Sequence, residues 1–275
     1  MAKIYHYTTI ETLALILKHR TIRFNRLDQV DDMEESLYTS GPINLNLSKY
    51  VYVSCWTKSK EENLALWKMY AGYGGIRISL DETMFVSYPY EHFETFISYF
   101  PKILYFGDGF MADQMSNHLE LLDVNYVESP KNEINSLLTL EDNKISINTN
   151  ELGRYKRKEW AVQKESRFKI QVLPLNYNYV PSYTKEILNS MDRLELTKAN
   201  FEITPAVIQS IKESYVPSQT YMDMPLLADA LDNIEIMMGP STNEAHRYII
   251  DNLLSNLKYA KVEDSSFIWG TERSV

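Results

Sequence analysis

Two short segments set polar side chains capable of chemistry among strand-forming residues: Lys3-Ile4-Tyr5-His6-Tyr7-Thr8 and Trp160-Ala161-Val162-Gln163-Lys164-Glu165-Ser166-Arg167. An imidazole and a carboxylate standing out of apolar strands must face a cleft, a partner or each other, because burying either uncompensated costs several kcal/mol. Period-two alternation puts Ile4, His6 and Thr8 on one face of the first segment, with Tyr5 and Tyr7 opposite. The same period carries Gln163, Glu165 and Arg167 along one face of the second. Two readings of His6 stand: a half-buried ring bonded to a backbone carbonyl, or a donor to a sugar hydroxyl or phosphate. The Gln163-Glu165-Arg167 face is either open to solvent or the wall of a polar cleft.

A third group lies between them. Trp67 and Tyr70 are three residues apart and so nearly share a helical face, as core packing or as a ligand wall. Behind them, Ala71-Gly72-Tyr73-Gly74-Gly75 reads as a glycine hairpin that lets a ligand approach the backbone, without the spacing of a dinucleotide fingerprint or a P-loop. The acidic run Asp28, Asp31, Asp32, Glu34, Glu35 lacks EF-hand spacing and reads as helix-terminal charge. Arg154, Lys156, Arg157 and Lys158 read as a solvated loop or a phosphate site. Cys55, the only cysteine, sits in an apolar strand and reads as an inert thiol. The five histidines show no i, i+4 pair, so no metal site is expected.

These groups need elements to position them. Thr8-Thr9-Ile10-Glu11, Ser59-Lys60-Glu61-Glu62 and Ser241-Thr242-Asn243-Glu244 fit the capping box. Each follows a strand-like stretch: Lys3 to Tyr7, Tyr50 to Trp56, and Ile234 to Met238. Helical spacing follows the first in Ile10, Leu13, Ala14 and Leu17, and the third in Ala245, Tyr248, Ile249, Leu253 and Leu257. Further strands are predicted over Gly75 to Leu80, Lys102 to Phe106 and Ser166 to Leu173, and helices over Phe110 to Val124 and Pro205 to Ser214. The expected architecture is one α+β domain, residues 1–275, with a twisted central sheet, flanking helices and a helical insertion around 107–152.

The chain has 275 residues, 44% of them hydrophobic and 24% charged, in the range of ordinary globular proteins. Its net charge of −9 argues against a broad, nonspecific grip on nucleic acid. No apolar run approaches the roughly 20 residues of a membrane helix, and the N-terminus lacks a signal-peptide pattern. A cytoplasmic protein is expected.

Five landmarks, spread over nearly the whole chain, resemble a bacterial family known as domain of unknown function 2971. They are Tyr5-His6-Tyr7-Thr8; Asp31-Asp32-Met33-Glu34-Glu35, where that family tends to Asn-Asp-Pro-x-Glu; Val53-Ser54-Cys55-Trp56-Thr57, usually ending Phe-Ser; Leu66-Trp67-Lys68-Met69-Tyr70-Ala71 leading to Gly75; and Trp160 followed by Gln163, Glu165 and Arg167, where the family prefers Glu at the first of the three. Ile234 to Pro240 also resembles its C-terminal strand. The order of landmarks in turn resembles the ADP-ribosyltransferase fold. That resemblance implies NAD as substrate, with His6 bonding a ribose hydroxyl, Tyr70 stacking on nicotinamide, and Glu165 stabilising an oxocarbenium-like transition state. Thr8, Trp67, Tyr73, Gln163 and Arg167 are then expected around the bound nucleotide. Gln163-x-Glu165 is similar to the Gln-x-Glu motif of toxins that modify acceptors other than arginine, which implies a protein or RNA acceptor and an effector in phage defence or a toxin–antitoxin pair. The alternative is a non-catalytic domain that binds a nucleotide or protein in the same cleft.

Overall fold

The computed structural model describes residues 2–36, 39–40, 45–86, 91–92, 99–100, 104–113, 119–134, 138–141, 144–147 and 151–267. In chain order the elements that matter for the site are β1 (Lys3–Thr8), α1 (Ile10–His19), β2 (Thr21–Arg26), β3 (Val51–Thr57) and α2 (Leu64–Leu66), which continues as a π-helix over Trp67–Ala71. Then come β4 (Ile76–Asp81), β5 (Leu104–Gly107), β6 (Phe110–Asp113), β7 (Leu122–Asp123), β8 (Asn125–Val127), β9 (Tyr155–Arg157) and β10 (Glu165–Pro174). The C-terminal third holds α3 (Lys185–Ser190), α4 (Arg193–Lys212), β11 (Tyr221–Pro225), β12 (Glu235–Met238), α5 (Glu244–Leu254) and β13 (Lys261–Asp264).

The fold is mixed α/β, built on an open, mostly antiparallel sheet of 11 strands in the order β13-β12-β4-β1-β3-β10-β6-β5, with β7 on β10 and β11 on β2. Strands β1, β3 and β10 lie in succession in the sheet, although β1 and β10 are far apart in sequence. β3 is buried on both faces except at Cys55, which explains its almost continuous apolar sequence.

The sheet changes partners at β3. One edge of β3 pairs with β10 along its full length, from Thr57↔Glu165 to Val51↔Gln171. The other edge is shared by two strands. β2 takes the beginning, at Val53↔Asn25 and Tyr52↔Arg26, and β1 takes the end, at the single pair Thr57↔Tyr5. Among the described residues no strand pairs Ser54, Cys55 or Trp56 on that edge, so the sheet has a gap in its middle.

Several predicted boundaries move, each for a local reason. The helix after β1 forms, but Thr9 rather than Thr8 caps it, accepting from the Thr12 N–H at 3.2 Å. At the second junction Asn63 is the cap, accepting from Ala65 and Leu66. Glu62 there accepts instead from the Trp67 indole at 2.9 Å and from Ser266. At the third, Asn243 caps α5 and His246 closes a reciprocal box. The long helix α4 starts at Arg193 on an Asp192/Glu195 capping box, a signal readable in the sequence and missed in favour of Pro205.

The helix expected over Phe110 to Val124 does not form; residues 114–118 of it lie outside the described residues. Phe110 and Ala112 are buried and alternate with Met111, placing β6 beside β10. The expected helical insertion is mostly extended where it is described. It contributes β7, β8, the pair Leu138–Glu141 with Lys144–Ile147, and only a one-turn helix at Pro130–Glu133. Outside that insertion the strands β2, β9, β11 and β13 also went unpredicted, although in β2 Ile22 and Phe24 alternate with Arg23 and Asn25 at the period of a half-buried strand. Among the described residues no helix is long and apolar enough to cross a membrane.

Candidate active site

A cavity of about 200 Å³ opens at the gap in the sheet. Its wall takes His6 from β1, Asn25 from β2, Cys55 and Trp56 from β3, Tyr70 from the π-helix, Lys156 from β9, and Glu165 and Arg167 from β10, with Gln163 and Asp31 from the connecting segments. The structure thus brings His6, Tyr70, Gln163, Glu165 and Arg167 to one cavity. Thr8, Trp67 and Tyr73, expected beside them, lie off it.

The π-helix explains how Trp67 and Tyr70 come apart. Its wider turn rotates each residue less than an α-helix does, so residues three apart no longer share a face. Trp67 is fully buried against Tyr7, edge to face at 4.8 Å. With Leu66 and Ala71 it anchors the helix on β1. Gly72 ends the helix at φ +65. Gly75 lets the chain return against β1: a Cβ there would stand 2.4 Å from the Thr8 carbonyl oxygen. Thr8 itself is buried. Tyr73 turns into the Trp67 cluster and its carbonyl accepts from Ser241.

Tyr70 is left facing the cavity mouth. Its hydroxyl donates to Asp31 Oδ2 at 2.6 Å and accepts from Gln163 Nε2 at 2.8 Å. Burial and the Asp31 carboxylate both push the phenol pKa far up, so Tyr70 stays protonated.

Gln163 is not on the strand. It ends a 3-10 helix over Lys158–Gln163, and Lys164 turns the chain at φ +45 into β10. The Thr57 hydroxyl fixes that corner by donating to the Lys164 carbonyl at 2.8 Å, and the Tyr126 hydroxyl accepts from the Glu165 N–H at 2.8 Å. Gln163 reaches the same wall as Glu165 through this corner rather than through strand alternation.

Lys156, read with its basic neighbours as part of a solvated loop or a phosphate site, is 2% exposed. Its Nζ donates to Gln163 Oε1 at 2.8 Å and to Glu165 Oε2 at 3.0 Å, and lies 5.0 Å from the Trp160 ring centre. Burial works against this ammonium, but Glu165, Cys55 and Asp31 together outweigh it and the pKa is raised. The other three members of the cluster are surface residues that pair with Glu151, Glu159 and Glu128.

The acidic run is helix-terminal charge, as expected, with Asp28, Glu34 and Glu35 in the first turns of two 3-10 helices, and part of it is also built into the site. Asp28 pairs with Arg26 at 2.7 Å. Asp32, 4% exposed, accepts from the N–H groups of Glu34 and Arg157. Glu35 is fully buried against Arg167, and Arg167 also donates to Glu165 Oε1 at 2.5 Å and to the Gly153 carbonyl at 3.2 Å. A continuous polar chain therefore runs Asp31–Tyr70–Gln163–Lys156–Glu165–Arg167–Glu35. Two cations stand in it among three carboxylates, and Arg23, which also lines the cavity, pairs with Asp223. Asp31 is the cavity-lining carboxylate that has no cation within 4 Å among the described residues.

His6 lies at the unpaired edge of β3. Its Nδ1–H donates to the Cys55 carbonyl at 2.9 Å, an acceptor that no strand occupies, and its ring packs 5.1 Å from Trp56. Burial lowers its pKa, opposed by the Cys55 carbonyl, so the ring is neutral at pH 7. With Nδ1 donating, Nε2 is an acceptor, which corrects the expectation of a donor to a hydroxyl or phosphate. Cys55 beneath it is held protonated by burial and by Glu165, in keeping with an inert thiol.

The sign of the His6 shift makes a prediction. The folded state binds a proton here less readily than the unfolded chain. The stability contributed by neutral His6 is therefore complete above about pH 6.5 and lost as pH falls towards the depressed folded value. His6→Gln is expected to flatten the acid loss of stability, read as urea midpoints from roughly pH 7.5 to 5. An unchanged acid slope in the variant would assign that loss to other groups.

Among the described residues no group of three or more His, Cys, Asp or Glu side chains is placed to hold a metal ion. No family model, no curated protein and no solved structure matches this chain.

Proposed function

We propose that the cavity binds NAD and that the protein transfers its ADP-ribosyl group to an acceptor. The observation that carries this reading is the convergence of His6, Tyr70 and Glu165, from three separate elements, on one cavity at a gap in the sheet. The resemblance to domain of unknown function 2971 and to the ADP-ribosyltransferase fold points the same way.

Each residue has a role in this reading. Tyr70 presents its ring at the mouth for the nicotinamide to stack upon, and His6 Nε2 accepts a ribose hydroxyl. Glu165, fixed by Lys156 and Arg167, holds negative charge beside the anomeric carbon as the bond to nicotinamide breaks and that ring leaves, neutral, with the bonding electrons. Gln163 is an amide and cannot take a proton; it orients the acceptor. Asp31 removes the proton from the acceptor oxygen as that oxygen attacks the anomeric carbon. At about 200 Å³ the cavity is smaller than the roughly 300–1,000 Å³ of whole-ligand clefts. It accommodates the nicotinamide ribose, with the adenosine end lying outside the mouth.

The Asp31 carboxylate, which no described cation pairs, predicts tighter binding of NAD, with its cationic ring, than of its reduced form. Calorimetric titration with both, followed by turnover assays with protein and RNA acceptors, tests the reading. No binding of NAD at millimolar concentration would overturn it. Asp31→Asn is expected to lose the preference for NAD over its reduced form and about a hundredfold in transfer, the lower range for a general base; formate added to Asp31→Ala should restore part of the rate.

A second reading has its own observation. Both oxygens of Glu165 are already occupied, by Lys156 and Arg167. A cleft whose carboxylate is fully paired suits a non-catalytic nucleotide- or protein-binding domain. Binding of NAD without turnover in any acceptor assay selects that reading.

A further inference from the structure

The helix α4 is apolar on two sides. Its inner face packs Ala199, Ile203, Ala206 and Ile211 into the core. On the opposite side Leu194, Phe201 and Ile208 recur every seven residues and are 64%, 82% and 37% exposed, with Pro205 between the last two. A single exposed apolar side chain is ordinary. Three at heptad spacing along one helix form a seam of the kind that packs against another helix.

The flanking charges say which helix. Lys198 and Glu202 lie four residues apart beside Phe201, on the same flank of the stripe. The Glu202 carboxylate is held near it, 3.5 Å from the Tyr183 hydroxyl. When two copies of α4 pack antiparallel about a two-fold axis level with Phe201, like flanks face each other. Leu194 of one copy then meets Ile208 of the other, the two Phe201 rings meet at the axis, and Lys198 opposes Glu202 twice. A parallel arrangement would set that flank against Thr197 and Thr204 and lose both ion pairs. The stripe is self-complementary in one orientation, as an isologous interface requires.

We propose that this face of α4 is the interface of a two-fold symmetric homodimer of this chain. The proposal is independent of what the cavity binds. Sedimentation velocity on the full chain across the micromolar range is expected to show a dimer that Phe201→Glu converts to a folded monomer with an unchanged circular dichroism spectrum, because residue 201 is exposed and outside the core. Lys198→Glu alone sets like charges opposite each other and should weaken the dimer at least about tenfold. Adding Glu202→Lys to the same chain restores opposite charges and should restore the dimer. A wild-type monomer throughout the range overturns the proposal and leaves a different protein as the cover of the stripe. A Phe201→Glu variant that stays dimeric, or a double charge reversal no better than the single, overturns it equally.

Discussion

Glu165→Gln is expected to lower ADP-ribosyl transfer about a hundredfold or more, the usual cost of removing one preorganised electrostatic partner of the transition state. The amide keeps the size of the side chain but cannot offset positive charge developing at the anomeric carbon. Size alone argues that the fold would be untouched; the pairing argues otherwise. Lys156 and Arg167 both lean on this carboxylate, and the substitution leaves a buried ammonium with only the Gln163 carbonyl and the new amide oxygen to face. A loss of stability therefore accompanies the loss of rate. The two separate if turnover is measured well below the melting transition of the variant and NAD affinity is titrated on the same sample. Retention of activity within tenfold of wild type would remove Glu165 from the mechanism.

Arg167→Met should have the largest effect on stability, about 3–5 kcal/mol, because breaking a buried ion pair from one side leaves an uncompensated charge. Glu35 has no exposure and lies against the Arg167 guanidinium, so it would lose its partner without access to water. For a chain of this size the melting temperature should fall by roughly 10 °C, at a few degrees per kcal/mol. Pairing the change with Glu35→Gln removes both buried charges and should recover a substantial part of the loss. Urea denaturation of the single and double variants reads both quantities. If the double variant is no better than the single, the pair is not coupled and the Arg167 side chain matters for its packing and its bonds to Glu165 and Gly153.

The strands carrying His6, Cys55 and Glu165 were legible in the sequence because each is a short apolar run with strand-forming residues on both sides. Their type does not depend on what they meet. The helix after β1 was legible for the same reason: a hydroxyl residue precedes an amphipathic period. The helix expected over 110–124 failed because Phe110 and Ala112 owe their burial to β10, more than 55 positions later, and a four-residue strand has no period long enough to announce that.

Residue chemistry marked His6, Gln163, Glu165 and Arg167 as polar groups amid apolar neighbours that need partners wherever the chain goes, and the resemblance added Tyr70 and set them in one site. Which partners they take is a tertiary matter. Lys156 and Glu35 look like any charged surface residue from their neighbours in sequence. They are buried because β9 and the turn at 33–36 pack behind β10, where each charge meets its opposite. The tautomer of His6 is set by a carbonyl 49 positions away, freed only because β1 and β2 share one edge of β3. The amino-acid sequence by itself determined which side chains would need compensation. The three-dimensional fold decided how they are compensated, because hydrogen bonds and ion pairs act over a few ångströms in space and are indifferent to separation along the chain.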